Sequence, residues 1–158
     1  MQDPSSIKEA RSKLLRWLGY RQRSIQEAQL YLEKKGFSAP VIEAVIAEML
    51  NYGYLDDERF AGEMMESYYQ RGYGPRRVCQ VLRHKGIDLK IIERLLPQYF
   101  TPENELALCR EALEKKVGRA PGEADRQWLR RQSAFLARRG FHSAVILKVL
   151  QDYGLAEL

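Results

Sequence analysis

One short pattern, written three times, constrains this chain more than any other feature. Leu32-Glu-Lys-Lys35-Gly36-Phe37 recurs as Leu82-Arg-His-Lys85-Gly86-Ile87 and as Leu136-Ala-Arg-Arg139-Gly140-Phe141. The glycines lie 50 and then 54 residues apart. Behind each follows one apolar set in register: Val41, Ile42, Val45, Ile46, Met49, then Ile91, Ile92, Leu95, Leu96, Tyr99, then Val145, Ile146, Val149, Leu150, Tyr153. Apolar residues at i, i+1, i+4, i+5 and i+8 form one stripe of a helix. A cation, a glycine and a large apolar residue mark a helix C-terminus. The cation suits the negative dipole end, and glycine takes the left-handed conformation without a Cβ clash. Each copy therefore predicts a helix, a glycine corner and a second helix buried along one face, with Phe37, Ile87 and Phe141 packed into the corners. This is a tandem repeat.

Helix signals fill the rest of the chain, and strand signals are nearly absent. Ser6 with Glu9 reads as a capping box for a first helix to about Leu18, and Ser24 with Glu27 as a second for a helix ending at Lys35. A third helix follows Ser38 and runs to Tyr52, with Gly53 as its stop. Asp56, ahead of Asp57 and Glu58, opens the next unit, whose first helix turns inward Phe60, Met64, Met65 and Tyr68. Gly72-Tyr73-Gly74-Pro75 ends that helix, and Pro75 suits the first position of the following one, which buries Val78, Val81 and Leu82. Asp88 caps the next helix, which is expected to end near Pro97. Thr101-Pro102-Glu103 starts the last unit, with one helix over about 103–117, a loop from Gly118 to Gly122, and a helix from Asp125. His142, or Ser143 in its place, is the N-cap of the final helix. The sum is an all-α chain of three tandem three-helix repeats, with boundaries at 1–54, 55–100 and 101–158.

Charge comes in blocks. From Glu43 to Glu66 seven acids face only Arg59; from Arg71 to Arg94 seven bases face Asp88 and Glu93; from Arg126 to Lys148 six bases meet no acid. Same-sign arginines without an i±4 partner repel one another, which stability alone does not favour. The cations before each glycine already have work at a helix end. Taken singly, most of these arginines read as solvated helix faces; taken as clusters, the cations before the second and third glycines included, they predict a partner surface. Its candidate residues are Arg71, Tyr73, Arg76, Arg77, Arg83, Lys85, Arg126, Arg130, Arg131, Arg138 and Arg139. Tyr73 could equally stack on a partner or close the turn between its glycines. A net charge of +5 and a pI near 9.2 favour acidic partners, nucleic acid among them.

The same reading finds no catalytic centre. Cys79 and Cys109 suit neither a disulfide framework nor a zinc site and read as buried or half-buried thiols; His84 and His142 read as surface or capping residues. No Ser-His-Asp, paired-carboxylate, phosphate-loop or metal-ligand spacing occurs, so the expectation is a non-enzymatic protein without a cofactor. Met1-Gln-Asp-Pro-Ser-Ser lacks signal-peptide features and no apolar run spans a bilayer, so a cytoplasmic protein is expected, and with its units packed on one another a monomer.

Several stretches are similar to one family. Gly53-Tyr-Leu-Asp-Asp-Glu-Arg-Phe-Ala61, Gly74-Pro-Arg-Arg-Val-Cys-Gln-Val-Leu82 with Lys85-Gly86-Ile87, and Phe135-Leu-Ala-Arg-Arg-Gly-Phe141 with Val145-Ile146 resemble the RecX regulatory proteins, over about residues 11–155. Departures are Gln22-Arg23 and His142. The resemblance implies an elongated, somewhat curved array that lies in the helical groove of the RecA–DNA filament. It also implies inhibition of filament extension, ATP hydrolysis, strand exchange and co-protease activity. The other reading of the residues is a direct single- or double-stranded nucleic-acid binder built from helix-turn-helix-like units.

Overall fold

The computed structural model describes residues 4–118 and 125–153, and every regular element among them is a helix. The first unit comprises α1 (Pro4–Leu18), α2 (Ile25–Lys34) and α3 (Ala39–Asn51). The second comprises α4 (Asp57–Gln70), α5 (Pro75–His84) and α6 (Leu89–Tyr99), and the third α7 (Pro102–Val117), α8 (Arg126–Arg138) and α9 (Ser143–Gln151). None of the described helices is long and apolar enough to cross a membrane. The expected loop beyond Gly118 lies outside the described residues.

Each unit is built alike. Its first helix packs on its third, and the second helix closes the bundle. An ion pair repeats between the first and third elements: Arg11 with Glu48 at 2.6 Å, Glu58 with Arg94 at 3.0 Å, and Arg110 with Asp152 at 2.7 Å. The glycine corners are as predicted, with φ of +89° at Gly36, +82° at Gly86 and +100° at Gly140. Ile87 and Phe141 are buried in their corners and Phe37 is half-buried. All five stripe residues of α3 are buried, and those of α6 and α9 are buried or half-buried.

The caps need three corrections. Helix α1 already includes Pro4, so Ser6 lies inside it rather than capping it; a proline in the first turn loses no helical hydrogen bond. Helix α6 continues through Pro97 to Tyr99, because so near the C-terminus the missing N–H removes a single bond from the last turn. Ser38 and His142 hold the N-cap conformation but make no side-chain cap. For α9 the cap comes from elsewhere. The His142 N–H donates 3.0 Å to the buried Glu105 carboxylate of α7, and His142 Nδ1 lies 2.8 Å from the same group.

The three units are not joined equally. Phe60, Met65, Leu82, Leu113, Leu136 and Phe141 belong to one continuous apolar core that spans the second and third units. The first unit has a core of its own, from Ala10 and Leu14 through Val45 and Met49 to Leu55.

One polar device nevertheless repeats at both joints, where the glycine corner of a unit sits on the N-terminus of the preceding unit's second helix. At the first joint Ser24 Oγ donates 2.8 Å to the Lys85 carbonyl, and Gln26 donates 3.2 Å to the His84 carbonyl. Lys85 Nζ also lies 3.3 Å from Glu27, and the Ile25 N–H donates 2.9 Å to Asp57. At the second joint the Gly74 and Arg76 N–H groups donate to the carbonyls of Arg139 (2.8 Å) and Gly140 (2.9 Å). The corner of the first unit has nothing within 4 Å of where a Cβ on Gly36 would sit.

Charge at the first joint gives it a pH dependence. Burial acts to raise the Glu27 carboxyl, but hydrogen bonds from Arg21 and the Ser24 N–H, with the charges of Arg21 and Lys85, hold it below its ordinary value. A depressed carboxyl stabilises fully above its unfolded value and loses that contribution as pH falls through the folded one. Asp57 moves oppositely: burial raises it, so its protonation in acid relieves a cost. The stability gap between the parent and Glu27→Gln is expected to narrow as pH is lowered from 7 to about 3 in denaturant titrations. A gap constant with pH would show that Glu27 is not held as described.

Candidate partner-binding surface

The second joint gathers residues that the sequence keeps more than 60 positions apart. Arg139 is its clasp. Its guanidinium donates to the carbonyls of Arg71 (Nη2, 2.8 Å) and Gly72 (Nε, 3.3 Å) and stands 4.2 Å from the centroid of the Tyr73 ring. Arg71 approaches the same ring at 5.2 Å and Tyr68 at 4.5 Å. Half-buried Tyr73 is thus held between two guanidinium groups at the turn between its glycines.

Lys85 and Arg139 have internal partners. By contrast, Arg71, Arg76, Arg77, Arg83, Arg126, Arg130, Arg131 and Arg138 are exposed and form no ion pair among the described residues. They fall into groups. Arg76 and Arg77, at the start of α5, meet Gly140, just past the end of α8. Along α8, helical spacing stacks Arg126 under Arg130 and Arg131 under Arg138, so the outward half of the helix is basic over about 18 Å. Arg126 and Arg130 also line, with Leu129 and Ser133, an open concavity of about 380 Å³. Arg83 lies apart, at the other end of α5.

Sequence reading missed Lys115 and Lys116, which close α7. With Arg71, Arg139, Leu108 and Phe135 they line a cleft of about 230 Å³ between the second and third units. Lys115 is paired with Glu111 at 3.1 Å, while Lys116 Nζ rests 4.1 Å from the Phe135 ring centroid. The two lysines were legible as cations at a helix end, but their meeting with Arg71 depends on how the units dock. The cysteines offer no nucleophile. Burial raises the Cys79 thiol and pushes that of Cys109 up to about 12, so both stay protonated near neutral pH. The surface suits binding of anionic groups through many weak contacts.

Comparison with known proteins agrees with this architecture. Family models described as the first, second and third three-helix domains of RecX match residues 10–49, 56–96 and 103–150. The regulatory protein RecX of Pelodictyon phaeoclathratiforme is 39% identical over 140 residues, which cover 87% of this chain and 84% of that one. That of Geobacillus thermodenitrificans is 35% identical over 147 residues, and there this chain spans only 54% of the relative's length. In fold, the crystal structure of RecX from Lactobacillus salivarius superposes with a TM-score of 0.83 at 22% identity, covering 96% of this chain and 98% of the other. Three consecutive domain matches and a relative aligned over most of both chains carry one conclusion: the chain belongs to the RecX family of regulatory proteins.

Proposed function

We propose that this chain is a non-enzymatic regulator that lies in the helical groove of the RecA–DNA filament. There it inhibits filament extension, ATP hydrolysis, strand exchange and co-protease activity, acting as a cytoplasmic monomer. Family membership supplies the partner. The observation that carries the surface is the set of exposed arginines without carboxylate partners along α8 and at the second joint. A guanidinium there can hold a carboxylate in bidentate fashion or reach a phosphate. Direct reading of duplex DNA by helix-turn-helix units has less support. In such units the helix after the corner enters the groove, yet here α3 offers Glu43 and Glu48, α9 only Lys148, and α6 Lys90 and Arg94 beside Glu93, with Arg94 already paired to Glu58. The arginines sit mainly on the helices before the corners.

The test is RecA ATP hydrolysis on single-stranded DNA, titrated with the parent and with an Arg130→Ala/Arg131→Ala/Arg138→Ala variant. Exposed positions of this kind change stability by less than about 0.5 kcal/mol each, so folding should be kept. Losing roughly 1.4 kcal/mol of interface energy raises the half-inhibitory concentration about tenfold. The variant is expected to show at least that loss and a flatter salt dependence. Inhibition equal to the parent's at every salt concentration would reduce the basic face to a solvated one.

A further inference from the structure

Another concavity lies away from the basic face of α8, where the ends of α1 and α3 meet the start of α4. It measures about 490 Å³ and is lined by Leu15, Leu18, Arg21, Tyr52, Tyr54 and Arg59, among others. Its apolar members are not tucked away. Tyr52 is 69% exposed and Tyr54 53%, and neighbouring Tyr20 reaches 79%. The aromatic residue that ends the second unit, Phe100, is by contrast buried. Large apolar side chains grouped around a concavity on a water-facing surface mark a binding site, and tyrosine with arginine is the composition of interface hot spots.

Charge decides what fits. Both arginines of the concavity are engaged within the chain: Arg21 lies 2.6 Å from Glu27, and Arg59 donates 2.9 Å to the Gly53 carbonyl. Beyond Arg59 the same exposed stripe of α4 carries Glu63 and Glu66, at i+4 and i+7, and Asp56 stands one turn before it. Neither Glu63 nor Glu66 has a cationic partner among the described residues. With Arg21 neutralised by Glu27, the one remaining charge of Arg59 is outweighed by Asp56, Glu63 and Glu66 on the helix that leads away from the concavity, which disfavours a phosphate backbone there, although tyrosines alone would suit stacked bases.

We infer that this concavity docks a protein segment that presents an apolar anchor followed by lysines or arginines, the anchor against Tyr52 and Tyr54 and the cations along Glu63 and Glu66. The inference rests on the functional reading above and deepens it. The protein would then grip its target at two places of opposite chemistry, a basic face at the third unit and an aromatic, acid-rimmed one at the junction of the first two.

The experiment uses the full chain, preformed RecA filaments on single-stranded DNA, and a bare single-stranded oligonucleotide as separate probes. Two variants are compared with the parent after circular dichroism confirms folding: Tyr52→Ser/Tyr54→Ser, and Glu63→Lys/Glu66→Lys, whose exposed side chains leave the core untouched. Both are expected to bind filaments at least tenfold more weakly, with oligonucleotide binding by the tyrosine variant unchanged. A benzophenone amino acid placed at Tyr54 is expected to cross-link to the filament protein. Filament binding by both variants equal to the parent's overturns the inference, as does cross-linking to DNA or to a second copy of this chain. A parent that does not bind filaments at all removes the functional reading, and this inference with it.

Discussion

Gly140→Ala is expected to destabilise the chain by about 3 kcal/mol, against about 1 kcal/mol for the same change at Gly36. Both glycines hold left-handed φ, +100° and +89°, which costs an alanine roughly 1 kcal/mol or more. Their surroundings differ. A Cβ on Gly36 meets nothing within 4 Å, whereas one on Gly140 would collide with the backbone nitrogen of Arg77. Backbone cannot rotate aside as a side chain can, so a further overpacking cost of about 1–3 kcal/mol is expected as the second joint opens. Gly86 falls between them, because the atoms its Cβ would meet belong to the Gln26 side chain. In a domain of this size the Gly140 change corresponds to a melting point lower by about 6–12 °C. Denaturant midpoints for the three alanine variants measure the order directly. Equal losses at Gly36 and Gly140 would mean that the joint contributes nothing beyond the backbone term.

Ser24→Ala should follow at about 2 kcal/mol, large for the loss of one hydroxyl. Ser24 is fully buried and performs two tasks. Its oxygen accepts the Glu27 N–H in the capping box of α2, an interaction worth about 1 kcal/mol. Its hydroxyl proton goes to the Lys85 carbonyl in the next unit, and a part-buried acceptor stripped of its donor costs about 1 kcal/mol more. Thr101→Ala is the matched control, since Thr101 caps α7 by accepting the Asn104 N–H and makes no bond to another unit. If the two variants lose equal stability in chemical unfolding, the bond across the joint carries no weight.

Ser24 also marks where legibility in the sequence ended. The spacing of Ser24 and Glu27 announces a capping box, because that exchange is local and needs particular side chains at fixed offsets. The bond to Lys85 is invisible, because its acceptor is a backbone carbonyl that any residue would supply. Arg139 shows the same limit. Its place before a glycine predicts work at a helix end, and its cluster suggests a partner. Its grip on the Arg71 and Gly72 carbonyls depends on the docking of the third unit against the second. Tyr52 and Tyr54 fail for a different reason. Their exposure is set by which elements pack around the junction, a tertiary outcome for which the local sequence carries no signal. Periodicity, by contrast, is a property of the chain itself, so the repeats, the glycine corners and the buried stripes of α3, α6 and α9 were all readable.

The uneven division of the apolar core has a mechanical meaning. Hydrogen bonds and ion pairs across a joint are short-range, and they let go over a small extension, whereas a shared apolar core must be pulled apart over its whole buried area. Tension applied between the first and third units would therefore part the chain at Ser24–Lys85 and Ile25–Asp57, and leave α4 to α9 as one body. On a target that moves beneath it, such a molecule yields at a fixed seam, and the first three helices can let go or regain their hold without the other six unfolding.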